Sequence, residues 1–91
     1  MHEEAMLRDL VRKAEEVARG AGGRRVTRVR LWAGARSHVN GPELPARWEA
    51  LVVGTPLSGA EVEVESSHDL RDPNADRVML RSLDVETSHE R

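Results

Sequence analysis

The sequence predicts an α/β (α+β) domain: two helices packed on one face of a three-stranded mixed β-sheet, in the order α-β-α-β-β. Three observations carry this. Apolar residues recur at helical spacing between Glu3 and Arg19, strict two-residue alternation marks 25–33 and 61–65, and glycine- or proline-rich breaks separate the segments. Ninety-one residues make one small domain, 1–91, near the lower end of what folds on a hydrophobic core alone. With no Phe or Tyr, that core must be built from Leu, Val, Ala, Met and Trp48.

In the first segment Met6, Leu7, Leu10, Val11, Ala14, Val17 and Ala18 form the i, i+3, i+4, i+7 stripe of an amphipathic helix. Gly20-Ala21-Gly22-Gly23 ends it, because glycine accepts the positive φ of a C-cap. In 25–33, Val29, Leu31 and Ala33 point one way and Arg28, Arg30 and Trp32 the other, as in a half-buried strand. Gly34 to Gly41 reads as a loop, and Pro42 as the opening residue of a second helix with Leu44, Trp48, Leu51 and Val52 on its inner face. Pro45 is compatible with that helix only in its first turn. Gly54-Thr55-Pro56 stops it. Glu61 to Glu65 is a strand with one acidic face, and Asp72-Pro73-Asn74 is a turn signal. Val78 to Glu86 completes the sheet, and 87–91 is expected to be a tail.

The outward faces of the first two strands carry opposite charge, Arg28 and Arg30 against Glu61, Glu63 and Glu65. Facing charges on neighbouring strands favour pairing and discourage wrong registers, so these two strands are expected to be neighbours. Trp32 stands on that charged face. It is read either as an anchor for a partner protein or as an indole lying over a neighbouring arginine stem such as Arg30. Trp48 is expected in the core.

Composition excludes several classes of function. A net charge of −2 gives no electrostatic reason to expect nucleic acid. No apolar run approaches membrane-spanning length, and the start lacks the apolar stretch of a signal peptide, so a cytoplasmic location is expected. Zero cysteines remove disulfides, thiolate nucleophiles and cysteine-ligated zinc. There is no nucleophile motif, no glycine-rich phosphate loop and no carboxylate pair brought together by spacing, so an enzyme is not expected.

Taken in order, several segments resemble the hydrogenase-maturation nickel metallochaperones of the HypA/HybF family. Met1-His2-Glu3 equals that family's nickel motif, and Arg25 to Leu31 looks like its first strand, followed by Gly34 at its turn. Gly54-Thr55-Pro56-Leu57-Ser58-Gly59-Ala60-Glu61-Val62-Glu63-Val64 is close to a GTPLEGAELEI-type segment. Ser67-His68-Asp69-Leu70 and Leu80 to Glu86 are similar to the segments that close the pattern. The chain departs from the family in lacking the two CxxC pairs of a zinc module, for which the short loop 66–77 stands in. It also has Glu4 and Ala5 where the family has an apolar residue and a serine.

The resemblance implies Ni(II) as a transient ligand and no zinc. Its ligand residues are His2 and Glu3, with Met1 contributing through the chain terminus and His68 as a weaker fourth candidate. A start of this form can wrap a tetragonal metal with the His2 imidazole and the deprotonated amides of His2 and Glu3, a donor set suited to Ni(II) or Cu(II). His2 is bulky enough that Met1 is expected to be retained. The implied function is a nickel-binding accessory protein for [NiFe]-hydrogenase maturation. Its implied partner is a maturation GTPase or a hydrogenase large-subunit precursor, and the protein itself would be a monomer or homodimer. The alternative is a diverged protein–protein interaction module that keeps the fold without delivering metal, with Trp32 and the first helix as its surface. His38 and His89 read as solvated loop and tail histidines.

Overall fold

A computed structural model describes residues 2–22 and 24–86, apart from the side chains of His2 and Glu3. The tail expected at 87–91 lies outside the described residues. Helix α1 spans His2–Gly20. It buries Leu7, Leu10, Val11, Ala14 and Ala18, the stripe expected from their spacing, with Met6 at its margin. Val17 departs from the expected stripe and is 52% exposed. Gly22 follows the helix at φ 103°, as a glycine stop requires.

Strand β1 spans Val26–Ala33, β2 Glu61–Ser66 and β3 Val78–Val85. The sheet order is β2-β1-β3, with β1 parallel to β2 and antiparallel to β3. The mixed sheet expected from the sequence is therefore present, and the two strands of opposite charge are neighbours. Their register pairs Arg28 with Glu61 and Arg30 with Glu63.

Between β1 and β2 the chain makes a short 3-10 turn, Gly41–Glu43, and then helix α2, Leu44–Leu51. Pro42 thus lies in the 3-10 turn, and the α-helix begins two residues after it. Pro45 sits in the first turn of α2, where its missing N–H is not needed. Both helices cover one face of the sheet. Leu7, Leu10 and Ala14 from α1, Leu44 and Trp48 from α2, and Val26, Val29, Leu31 and Ala33 from β1 belong to a single buried cluster.

Residues 67–77 connect β2 to β3 through a run of local turns. Asp72 accepts from the backbone N–H of Asn74 at its Oδ1 (2.8 Å) and from that of Ala75 at its carbonyl (2.9 Å), so the expected Asp-Pro-Asn turn is present. This connection is tied to the end of β1 by backbone hydrogen bonds. Ser67 N–H donates to Ala33 O at 2.9 Å, Gly34 N–H to Arg77 O at 2.8 Å and Arg36 N–H to Ala75 O at 2.7 Å.

Candidate metal centre

The candidate ligands fall at two places. Met1 lies outside the described residues. The backbone of His2 and Glu3 forms the first turn of α1. The first four N–H groups of any helix have no carbonyl partner within it, so the amides of His2 and Glu3 are not committed to the helix ladder. His68 is exposed on the 67–77 connection. Its neighbourhood is fixed by side chain-to-backbone bonds, Asp69 N–H to Ser67 Oγ at 3.1 Å and Arg71 N–H to Asp69 Oδ1 at 3.0 Å. Among the described residues no group of three histidine, aspartate or glutamate side chains converges on a point that could hold a metal.

The turn after the motif is packed firmly. Leu7 is fully buried, and a shallow cleft of about 210 Å³ between α1 and α2 is lined by Glu4, Leu7, Arg47, Ala50 and Leu51. Glu4 accepts a hydrogen bond from Arg8 Nη2 at 2.8 Å, one helical turn on. That bond and the Arg8 charge, with a smaller contribution from Arg47, hold the Glu4 carboxyl below its usual range. Glu4, where the sequence departs from the family pattern, therefore stays ionised as the partner of Arg8.

Thiolate-ligated zinc has no donors in this sequence, which contains no cysteine. The 67–77 connection is closed instead by the Asp, Ser and Asn side chain-to-backbone bonds described above.

The face of the sheet away from the helices is an ionic lattice. Arg28 Nη2 donates to Glu61 Oε1 at 3.3 Å, and Arg30 Nε donates to Glu63 Oε1 at 3.2 Å. Both guanidinium groups also approach Asp84 of β3, at 3.8 and 3.7 Å, and Arg30 Nη1 donates to Ser82 Oγ at 3.3 Å. Arg81 of β3 reaches over β1 to Glu65 of β2 at 3.8 Å. The contribution of β3 was not legible in the charge pattern of the first two strands; the signal was the period-2 spacing of Ser82 and Asp84. These side chains are between 37% and 63% exposed, so each pair contributes at most about 1 kcal/mol. Arg28 touches Glu61, Glu63 and Asp84 at once. Arg28→Met is expected to cost about 1 kcal/mol in urea denaturation at low salt, shrinking in molar NaCl as screening takes over. A cost independent of salt would assign Arg28 a packing role instead.

Trp32 projects from this charged face, as expected, with Glu65 and Met79 as its register neighbours. It is nevertheless buried there, only 7% exposed, so it offers little surface to a partner. Among the described residues, Trp32 and Ala75 are the two buried hydrophobic ones that lie outside the main core cluster. The hydrogen bonds that seat the 74–77 turn on Gly34 and Arg36 bring Ala75 to the end of β1. No described helix is long and apolar enough to cross a membrane.

Comparison with known proteins fits this geometry. The family model for HypA, described as hydrogenase/urease nickel incorporation, metallochaperone, matches residues 1–70. The hydrogenase maturation factor HypA of Methanopyrus kandleri is 37% identical over 65 residues, covering 71% of this chain and 46% of the relative. The chain thus spans less than half the length of that curated relative. The solution structure of the Ni metallochaperone HypA from Helicobacter pylori superposes with a TM-score of 0.76 at 15% identity, covering 97% of this chain and 100% of that one. A second HypA solution structure gives 0.64 at 17% identity, covering 94% and 97%. At such identities the structures establish a shared fold, and the family match over most of the length establishes kinship: this chain belongs to the HypA family.

Proposed function

We propose that this protein binds Ni(II) as cargo at Met1-His2-Glu3 and serves nickel insertion during [NiFe]-hydrogenase maturation in the cytoplasm. It would exchange the metal with a maturation GTPase or a hydrogenase large-subunit precursor. The observation that carries the reading is the family match beginning at residue 1, which takes in the motif itself. The curated relative's description as a hydrogenase maturation factor supports the choice of target. The helix start adds a physical reason: the His2 and Glu3 amides, without intrahelical acceptors, are available to lose protons and join the His2 imidazole around a tetragonal ion. Met1 would supply its terminal amine, and His68 could join from the 67–77 connection. Because amide protons must leave, binding should tighten as pH rises and should release protons.

The test is a Ni(II) titration followed by visible absorption, on protein whose first residue is Met1. Saturable one-to-one binding with a square-planar spectrum is expected. His2→Ala and a form extended by one N-terminal glycine should each weaken it more than about 100-fold, because even partners one step removed from a metal are worth 10–100-fold. Unchanged affinity in both would overturn the site. His68→Ala should have the smaller effect.

A further inference from the structure

β3 is an edge strand: β1 lies on one side of it, and no described strand lies on the other. Glu86 N–H donates to Arg25 O, and Arg77 O accepts from Gly34 N–H, so the backbones of Glu86 and Arg77 face β1. Successive residues of a strand alternate in this respect. Asp84 and Ser82 therefore face β1 from one end and Met79 from the other, in agreement with their pairing to Arg28, Arg30 and Trp32. A bulge at Arg81, where the register jumps between Arg30 and Leu31, absorbs the mismatch. The residues whose N–H and C=O groups point to the free edge are consequently Val78, Leu80, Leu83 and Val85.

Those same four residues carry the apolar side chains of β3 towards the helices, opposite Ala33, Leu31, Val29 and Val26. α1 covers them incompletely. Leu80, Leu83 and Val85 are only half-buried, and Val17 of α1 is 52% exposed. A groove of about 650 Å³ runs between helix and strand, with Leu10, Val17, Val78 and Leu80 among its apolar lining and the charged Asp9, Lys13, Glu16, Asp76 and Arg77 also lining it. β2, the other edge, turns only Val62 and Val64 towards the core, whereas β3 turns Val78, Leu80, Leu83 and Val85 that way and presents open backbone groups beside them.

A bulge on an edge strand ordinarily spoils pairing with a foreign strand, because the edge-facing groups fall out of step. The edge-facing positions 78, 80, 83 and 85 are separated by two, three and two residues. That spacing is a palindrome. An antiparallel copy of β3 presents the same gap at the same place, so that Val78 meets the second copy's Val85 and Leu80 meets the second copy's Leu83. Arg81 then lies diagonal to the second copy's Asp84, an attractive pair on the charged face. We infer that β3 is a self-pairing edge: two copies of this protein join β3 to β3 around a two-fold axis between residues 81 and 82, forming a continuous six-stranded sheet. The pairing is isologous, which closes the assembly at two copies. The inference does not depend on nickel.

The absence of cysteine permits a direct test. Sedimentation equilibrium of the metal-free protein, from low micromolar to millimolar concentration, should show a reversible monomer–dimer equilibrium. Amide hydrogen exchange should slow with concentration at Val78, Leu80, Leu83 and Val85. It should change little at Met79, Ser82 and Asp84, which already face β1. Ser82→Cys should form an intermolecular disulfide under mild oxidation, since the axis brings the two copies of residue 82 within reach. Ser66→Cys, exposed on the opposite edge, should not. A monomer at every concentration with freely exchanging edge amides would overturn the inference and leave the edge to a strand of another protein. A dimer that cross-links through Ser66→Cys and not through Ser82→Cys would overturn it equally.

Discussion

Gly34→Ala is expected to be among the most damaging single-methyl additions in this protein, costing about 3–5 kcal/mol of folding stability. A Cβ at position 34 would stand 2.3 Å from the carbonyl oxygen of Ala75, 2.6 Å from its carbonyl carbon and 2.7 Å from the carbonyl oxygen of Asn74. All three are backbone atoms, so no side chain can swing aside. The two segments are also clamped together by the bonds from Gly34 N–H to Arg77 O and from Arg36 N–H to Ala75 O. Separating them loses two backbone hydrogen bonds, about 1 kcal/mol each, and adds about 1–3 kcal/mol for forced displacement. The glycine is required by close approach and not by its φ, which lies outside the left-handed region. Gly20→Ala is the control. Nothing lies within 4 Å of its added Cβ, and at the end of α1 it should be neutral or stabilising by up to about 1 kcal/mol. Urea denaturation of both variants decides the matter: a Gly34→Ala midpoint equal to wild type would mean that the 74–77 turn is not seated on β1 as described.

This contact also shows where sequence reasoning stopped. The helix, the alternating strands and the pairing of β1 with β2 were legible because each rests on local periodicity or on facing charges. Arg28 and Arg30 met Glu61 and Glu63 in register. Trp32 was legible as a residue of the charged face, but its burial was not. The return of residues 67–77 to the end of β1 was hidden as well, since a contact between segments about forty residues apart has no periodic signature. The bulge at Arg81 was hidden for the same reason, since a one-residue mismatch is defined only by both strands together. The reading of the first residues as a metal motif rests on donor chemistry and family resemblance. Neither of these yields the arrangement of donors around an ion, and among the described residues no preformed cluster supplies it.

Trp48→Ala should be comparably severe, and comparison with Trp48→Phe would explain why. Trp48 is the largest fully buried side chain, at 0% exposure, and it joins α2 to the cluster formed by α1 and β1. Truncating such a residue leaves a cavity that the surroundings fill only in part, at a cost of about 3–5 kcal/mol. That is a large share of the about 5–15 kcal/mol by which domains of this kind are stable. The indole Nε1 has no hydrogen-bond partner among the described residues, however. A buried, unsatisfied N–H costs about 1–3 kcal/mol, which offsets part of what the ring contributes. Phenylalanine keeps most of the apolar volume and removes that group, so Trp48→Phe should lie within about 1.5 kcal/mol of wild type. Equal losses for Ala and Phe would mean that the N–H is satisfied and the indole shape indispensable. The Phe variant then leaves Trp32 as the only tryptophan. With 7% of its surface exposed, Trp32 should emit at short wavelength and resist acrylamide quenching. A red-shifted, readily quenched emission would return Trp32 to the surface and restore it as an anchor for a partner protein.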